Sequence, residues 1–338
     1  MRTSRLLGAV AAAALALGLA ACSPSTSADA EPGGDAGAGF PVTIEHAFGK
    51  TVIASQPKRI ATVAWANHEV PLALGVVPVG MSKATWGDDD GDGVLPWVAD
   101  KLSELDAKTP VLFDETDGID YEAVADTNPD VILAAYSGLT EEQYETLSKI
   151  APVVAYPKVA WGTSVDETIT MNAQAIGKVA EGEKLIEQLH ADTAAALDAH
   201  SVLKDKKVLF AYLDPSDLSQ IGYYTLNDPR TGFLKQAGLS MPSIVEKNAD
   251  STEFYLMLSA EKADQLDDVD LFITYGDDTT LATLQADPLL SKVPAIAAGH
   301  VAVLQDNTPL AASANPSPLS VGWGLDDYFA LLAEPFSE

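Results

Sequence analysis

One pattern is written twice in this chain, and it limits the fold more than any other feature. The segments "YEAVADTNPDVILAAY" (121–136) and "AEKADQLDDVDLFITY" (260–275) each set a glutamate 14 residues before a tyrosine that closes an apolar run: Glu122 before Tyr136, Glu261 before Tyr275. Likewise "KRIATVAW" and "KKVLFAYL" each put a basic pair ahead of a buried strand ending in an aromatic residue. A strand apolar on both faces needs cover on both, and such strands alternating with helices make a parallel α/β sheet. Written twice, the pattern predicts two α/β lobes of similar build. It says nothing of chemistry.

Around the repeat, "VTIEHAFGKTVIA" reads as two short strands about a Phe48–Lys50 turn, Gly49 giving the turn its freedom. "RIATVAW", "VVPVGMS", "DVILAAY" and "VVAY" read as strands. Helices are expected behind Asn67 as a cap, from Tyr121, and over 140–150. Ser164 with Glu167 forms a capping box for a helix that fades at Gly177. A second helical stretch, about 180–200, spans about 30 Å, enough to cross between lobes. The resulting division is a signal at 1–22, a tether at 23–39, an α/β lobe at 40–163, a helical connection at 164–200 and a second α/β lobe at 201–338.

The signal consists of Arg2 and Arg5, an apolar run from Leu6 to Ala20, and "LAAC" ending at Cys22. The run is too short to stay in a membrane as a spanning helix. "LAAC" resembles the lipobox of bacterial lipoproteins, which implies that Cys22 becomes the first mature residue and carries the lipid. The alternative is an ordinary secretory signal with a chance cysteine. Cys22 is the one cysteine, so no disulfide is available and the fold stands on its hydrophobic core. Residues 23–39 lack large apolar side chains and read as a flexible tether. A formal net charge of −29 would repel phosphate backbones and argues against nucleic acid as a partner. Beyond the signal only Arg59 and Arg230 could grip an anion with a bidentate fork.

Enzyme signatures are missing: no G-x-S-x-G elbow, no P-loop, no G-x-G-x-x-G fingerprint. "NHEVPL" starts like a zinc-protease helix, but Leu72 stands where the second histidine belongs. His46, His68, His190, His200 and His300 lack ligand spacing. "TWGDDDGDGVLPWV" (85–98) puts Asp88, Asp90, Asp92 and Gly93 on positions of a calcium loop, yet Ala99 replaces the closing glutamate and no helix-loop-helix frame surrounds it. We read it as a solvated acidic rim with Trp86 and Trp97 turned to a cleft, and no protein metal site is assigned.

Taken in order, the lipobox, the tether, "VTIEHAFGKTVI", "PKRIATV", "EVPLALGVVPVGM", "YEAVADTNPDVIL", "SAEKADQLDDVDLFI", "DPLLSKVPAIAAGHVAVL" and a closing amphipathic helix resemble the iron-siderophore substrate-binding lipoproteins of bacterial ABC importers, over about 42–333. The resemblance implies a class III substrate-binding protein: two Rossmann-like α/β lobes joined by a long inter-lobe helix, with little hinge motion. It implies a monomer, lipid-anchored on the extracytoplasmic face of the cell membrane, that captures a ferric siderophore without any cofactor. Its partners would be a permease dimer and the ATPase of the importer. That family meets permease arginines with one surface glutamate per lobe, and Glu122 and Glu261 match those positions. Each starts a short helix, where the dipole tolerates a carboxylate.

Iron in such a ligand is already six-coordinate, so the protein needs shape, aromatic surface and a few hydrogen bonds. The candidates after strand ends are Trp65, Trp86, Trp97, Tyr136, Trp161, Tyr212, Tyr223, Tyr224, Tyr255 and Tyr275. Arg230 either reaches a chelate oxygen or pairs with Asp228 or another local acid; Arg59 reads as structural. So few arginines in an acidic chain favour a neutral or cationic ferric hydroxamate over a triply anionic catecholate. The alternatives are a haem or cobalamin receptor of the same fold, with His68 or a cleft tyrosine as axial haem ligand, a cleft hydrolase lipoprotein, or an adhesion lipoprotein.

Overall fold

The computed structural model describes residues 39–337. The signal, Cys22 and all but the last residue of the tether lie outside them. Strands β1 (Val42–His46) and β2 (Gly49–Ile53) pair as an antiparallel hairpin. Five strands then form a wholly parallel sheet in the order β5-β4-β3-β6-β7: β3 (Ile60–Thr62), β4 (Gly80–Ser82), β5 (Val111–Phe113), β6 (Val131–Ala134) and β7 (Val153–Ala155). Successive residues of one strand enter opposite cores. Ala61, Ile132, Ala134, Val153 and Ala155 pack with Phe113, Val124 and Leu147. Ile60, Val131, Leu133 and Val154 pack with Met171, Ala175, Ile176 and the hairpin residues Ile44 and Ile53. This two-sided burial is why the strands read as unbroken apolar runs.

The second sheet has the order β10-β9-β8-β11-β12, built from β8 (Val208–Tyr212), β9 (Gln220–Tyr224), β10 (Tyr255–Ser259), β11 (Leu271–Gly276) and β12 (Val301–Gln305). Here the expectation of a purely parallel sheet fails. β8, β11 and β12 are parallel, but β9 runs antiparallel to both of its neighbours, β8 and β10. The link from Tyr212 to Gln220 is shorter than the dozen or so residues that a parallel crossover needs, so the chain turns straight back.

The two Rossmann-like lobes are joined by helices. Ser164 and Glu167 exchange both bonds of the capping box ahead of the helix Val165–Ala175. The long helix Val179–Ala199 follows, burying Leu189, Thr193, Ala196 and Leu197. Asn67 does not cap the helix Glu69–Ala73, as the sequence suggested; His68 occupies the cap without a side-chain bond. No described helix is long and apolar enough to cross a membrane.

Candidate functional site

The order of the first sheet reverses between β3 and β6, and open α/β sheets take ligands outside the carboxyl ends of their strands at such a switch point. A cavity of about 320 Å³ lies there. Its wall comes largely from the ends of the strands and the segments that follow them: Ala64–Ala66 and His68 after β3, Ser82–Thr85 from the last residue of β4 onward, Glu115 after β5, Ser137–Leu139 after β6 and Trp161 after β7, with Gly93–Leu95 and Val98 beside them.

Backbone strain concentrates on this wall. Ala64, Ala66 and Trp161 have φ of 60°, 60° and 58°, a left-handed conformation that costs a residue with a Cβ roughly 1–3 kcal/mol. Asn67 holds the turns together. Its Nδ2 donates to the carbonyls of Val63 (2.9 Å) and Tyr136 (2.8 Å), and its Oδ1 accepts from Tyr136 N (3.1 Å) and Asn172 Nδ2 (3.2 Å). Its side chain thus staples the loops on the two sides of the switch point, which explains why it is not free to cap. The Trp161 indole lies against Gly138, where a Cβ would stand 2.1 Å from Nε1.

The second lobe contributes a polar cluster to the seam between lobes. Asp228, 0% exposed, accepts from Arg230 N (2.9 Å), Nε (2.8 Å) and Nη2 (2.7 Å). The guanidinium lies 3.8 Å from the centre of the Tyr224 ring. Burial pushes the Tyr224 phenol up to about 12, with Arg230 opposing, so this hydroxyl stays neutral at ordinary pH. Several contacts cross from lobe to lobe among the described residues: Asn315 Nδ2 donates to the Tyr136 hydroxyl (3.2 Å), Gly87 N donates to Asn307 Oδ1 (2.8 Å), Trp86 sits edge-on to Tyr275 at 5.3 Å, and Trp97 lies 5.2 Å from Trp323. Another is made by Glu69, 1% exposed. Its carboxylate accepts from Trp97 Nε1 (2.8 Å) in its own lobe, and from Ser317 Oγ and Leu319 N (3.0 Å) in the other. Burial pushes this carboxyl up to about 7 against the pull of those donors. Burial also holds the adjacent His68 imidazole down to about 4, hence neutral.

Of the side chains chosen from the sequence, Trp65 and Trp161 line the cavity, Trp86, Tyr136 and Tyr275 make contacts across the seam, and Tyr224 and Arg230 stack on one another in the second lobe. Arg230 makes the ion pair with Asp228. Two choices need correction. Trp97, 3% exposed, lies with Val98 and Leu102 on the buried face of the helix Pro96–Glu104, and its indole N–H is spent on Glu69. Tyr223, 4% exposed, belongs to the core of the second lobe, where its hydroxyl accepts from Asn248 Nδ2 (3.1 Å). Tyr212 and Tyr255 are exposed on the second sheet, away from the cavity wall. Glu122 and Glu261 are exposed on the first turns of the helical segments Tyr121–Asp126 and Ala260–Leu266. Arg59 donates to the carbonyls of Thr127 and Asn128. Among the described residues one acidic trio, Asp88, Asp90 and Asp92, converges within 4.8 Å. Its carboxylates shape their own loop, Asp88 accepting from Gly91 N (2.9 Å) and Gly93 N (2.7 Å) and Asp92 from Val94 N (2.8 Å).

The probable siderophore-binding lipoprotein YfiY of Bacillus subtilis (strain 168) is 30% identical over 145 residues, 43% of this chain and 41% of that protein. The match therefore spans less than half of that relative. The crystal structure of Streptococcus pneumoniae TIGR4 PiaA in complex with ferrichrome is 46% identical with a TM-score of 0.84, covering 87% of this chain and 98% of the other. Staphylococcus aureus SirA complexed with staphyloferrin B is 21% identical at a TM-score of 0.68, covering 86% and 98%, a likeness of fold alone. Residues 60–308, from β3 to just past β12, match the family described as periplasmic binding protein, and the chain belongs to that family.

Proposed function

We propose that this chain captures a ferric siderophore of the hydroxamate type in the cleft between its lobes and presents it to the permease of an ABC importer. The observation that carries this reading is the 46% identity, over nearly all of both chains, to a protein whose structure was solved with ferrichrome. The chemistry of the cleft agrees. The cavity offers the aromatic surface of Trp65 and Trp161 and a single cation, Lys83, which faces Asp114 at 3.6 Å, while Arg230 is held by Asp228 at 2.7 Å. A triply anionic catecholate would find little positive charge to neutralise it there, whereas a neutral hydroxamate chelate needs none. The function is binding and release rather than catalysis. A lipid on Cys22 would hold the protein at the outer face of the membrane.

Titration with ferrichrome is expected to quench tryptophan fluorescence saturably. Tight binding of a ferric tricatecholate with no response to any hydroxamate would overturn the reading, and a Soret shift with haem would replace it. Glu122 and Glu261, exposed one on each lobe, would set the orientation on the permease. In a reconstituted importer, Glu122→Ala with Glu261→Ala is expected to abolish uptake while leaving the ferrichrome titration unchanged; undiminished uptake removes that assignment.

A further inference from the structure

We infer that Glu115 is a positioning residue for ligand capture, holding the loop Ala64–Ala66 in its left-handed turns and so presenting Trp65 to the cavity. The inference rests on the function proposed above.

Glu115 follows β5, two strands away from β3. Even so, its Oε2 accepts from the backbone N–H of Ala64 at 2.9 Å and from the hydroxyl of Ser82, the last residue of β4. One carboxylate thus ties together the ends of three neighbouring strands. Its other oxygen, Oε1, is closed off from solvent and has no partner. A carboxyl buried and half satisfied costs stability rather than adding to it, and burial raises its pKa accordingly. What the molecule obtains in return is the loop. Ala64 and Ala66 both sit at φ 60°, a conformation that needs its polar groups held if it is to persist. Asn67 holds the far end of the loop through the Val63 and Tyr136 carbonyls, and Glu115 holds the near end through Ala64 N–H. Trp65 lies between the two anchors. Trp161 reaches the same cavity on a separate turn, with its own N–H donating to Ser137 O at 2.8 Å. Loss of Glu115 should therefore release one tryptophan and not the other.

The test uses the full chain, ferrichrome as the probe and amide hydrogen exchange as a readout that needs no ligand. Glu115→Ala is expected to weaken ferrichrome binding about tenfold or more, and to speed exchange at Ala64–Ala66 while β3 and β6 keep their protection. Glu115→Gln, whose amide oxygen still accepts from Ala64, should stay within about threefold of wild type. Glycine takes a left-handed turn without the Cβ penalty, so Glu115→Ala combined with Ala64→Gly should recover most of the lost affinity. A purely structural glutamate would lower thermal stability without that recovery. Unchanged affinity and exchange in Glu115→Ala, or a double variant as weak as the single one, overturns the inference. If the alanine variant does not fold, Glu115→Met, which fills the space without an acceptor, takes its place. Wild-type protein that binds no ferric hydroxamate overturns the proposed function instead, and the exchange measurement then decides by itself whether Glu115 holds the loop.

Discussion

Arg230→Ala is expected to lower the unfolding free energy by about 3–5 kcal/mol, because it strands a buried carboxylate without its counter-charge. Asp228 is 0% exposed, and two of its three contacts end on the guanidinium; the backbone N–H of residue 230 alone would remain. The loss is one of packing too. The guanidinium lies 3.8 Å from the centre of the Tyr224 ring and 5.8 Å from that of Phe210, so its removal opens space beneath both rings. In a chain of this size the melting midpoint should fall by on the order of 10 °C, with weakened ferrichrome binding alongside. Arg230→Met combined with Asp228→Asn carries no charge to strand and should recover at least about half of the loss. A single variant within about 1 kcal/mol of wild type, or a double variant no better than the single one, would show that the ion pair is not what holds this corner.

The other large effect is a pair of opposed pH dependences hidden in neighbouring residues. Glu69 is raised to about 7 from an ordinary 4.5. Between those values the folded chain keeps a proton that the unfolded chain has released, so the contribution of Glu69 to stability is full below 4.5 and is lost as pH rises to 7. His68 is lowered to about 4 from 6.5. There the unfolded chain binds the extra proton, so its contribution is full above 6.5 and is lost as pH falls to 4. Each amounts to about 3 kcal/mol, and over most of the window the two slopes cancel. Urea unfolding of wild type between pH 4 and 7 should therefore show little slope from this pair. Glu69→Gln should reveal stability that rises with pH, and His68→Leu stability that falls. Parallel profiles in all three proteins would refute the assignment. Glu69→Gln should also be less stable at every pH, since an amide cannot accept from Trp97, Ser317 and Leu319 together.

Much of the framework was legible because it is local. The apolar runs of β3, β6 and β7, the hairpin and the Ser164–Glu167 box follow from residues close in sequence. So did the positions of Trp65 and Trp161, which stand just past strand ends. The residues that organise the cleft were not legible, because their partners are remote. Asn67 answers to Tyr136, Glu69 to Ser317 and Leu319, and Glu115 to Ala64. Nothing in one chain singles out Glu69 and Glu115 among its 49 acidic residues as acceptors for such remote donors. Trp97 misled for a related reason: with Val98 and Leu102 it forms the buried stripe of a short helix, a pattern that its place beside an acidic loop obscured. The return of β9 follows from the short link after Tyr212, where the second lobe departs from the repeat with the first.

The bonds that cross the seam would have a consequence for the delivery proposed above. Parting the lobes would break the contacts of Glu69 with Ser317 and Leu319, of Gly87 with Asn307 and of Tyr136 with Asn315, so cargo captured without breaking them would enter a frame of nearly constant outline. A permease that recognised only that outline could not tell a laden carrier from an idle one. The two would then compete for the same berth, and delivery would be governed by how many carriers share the available cargo.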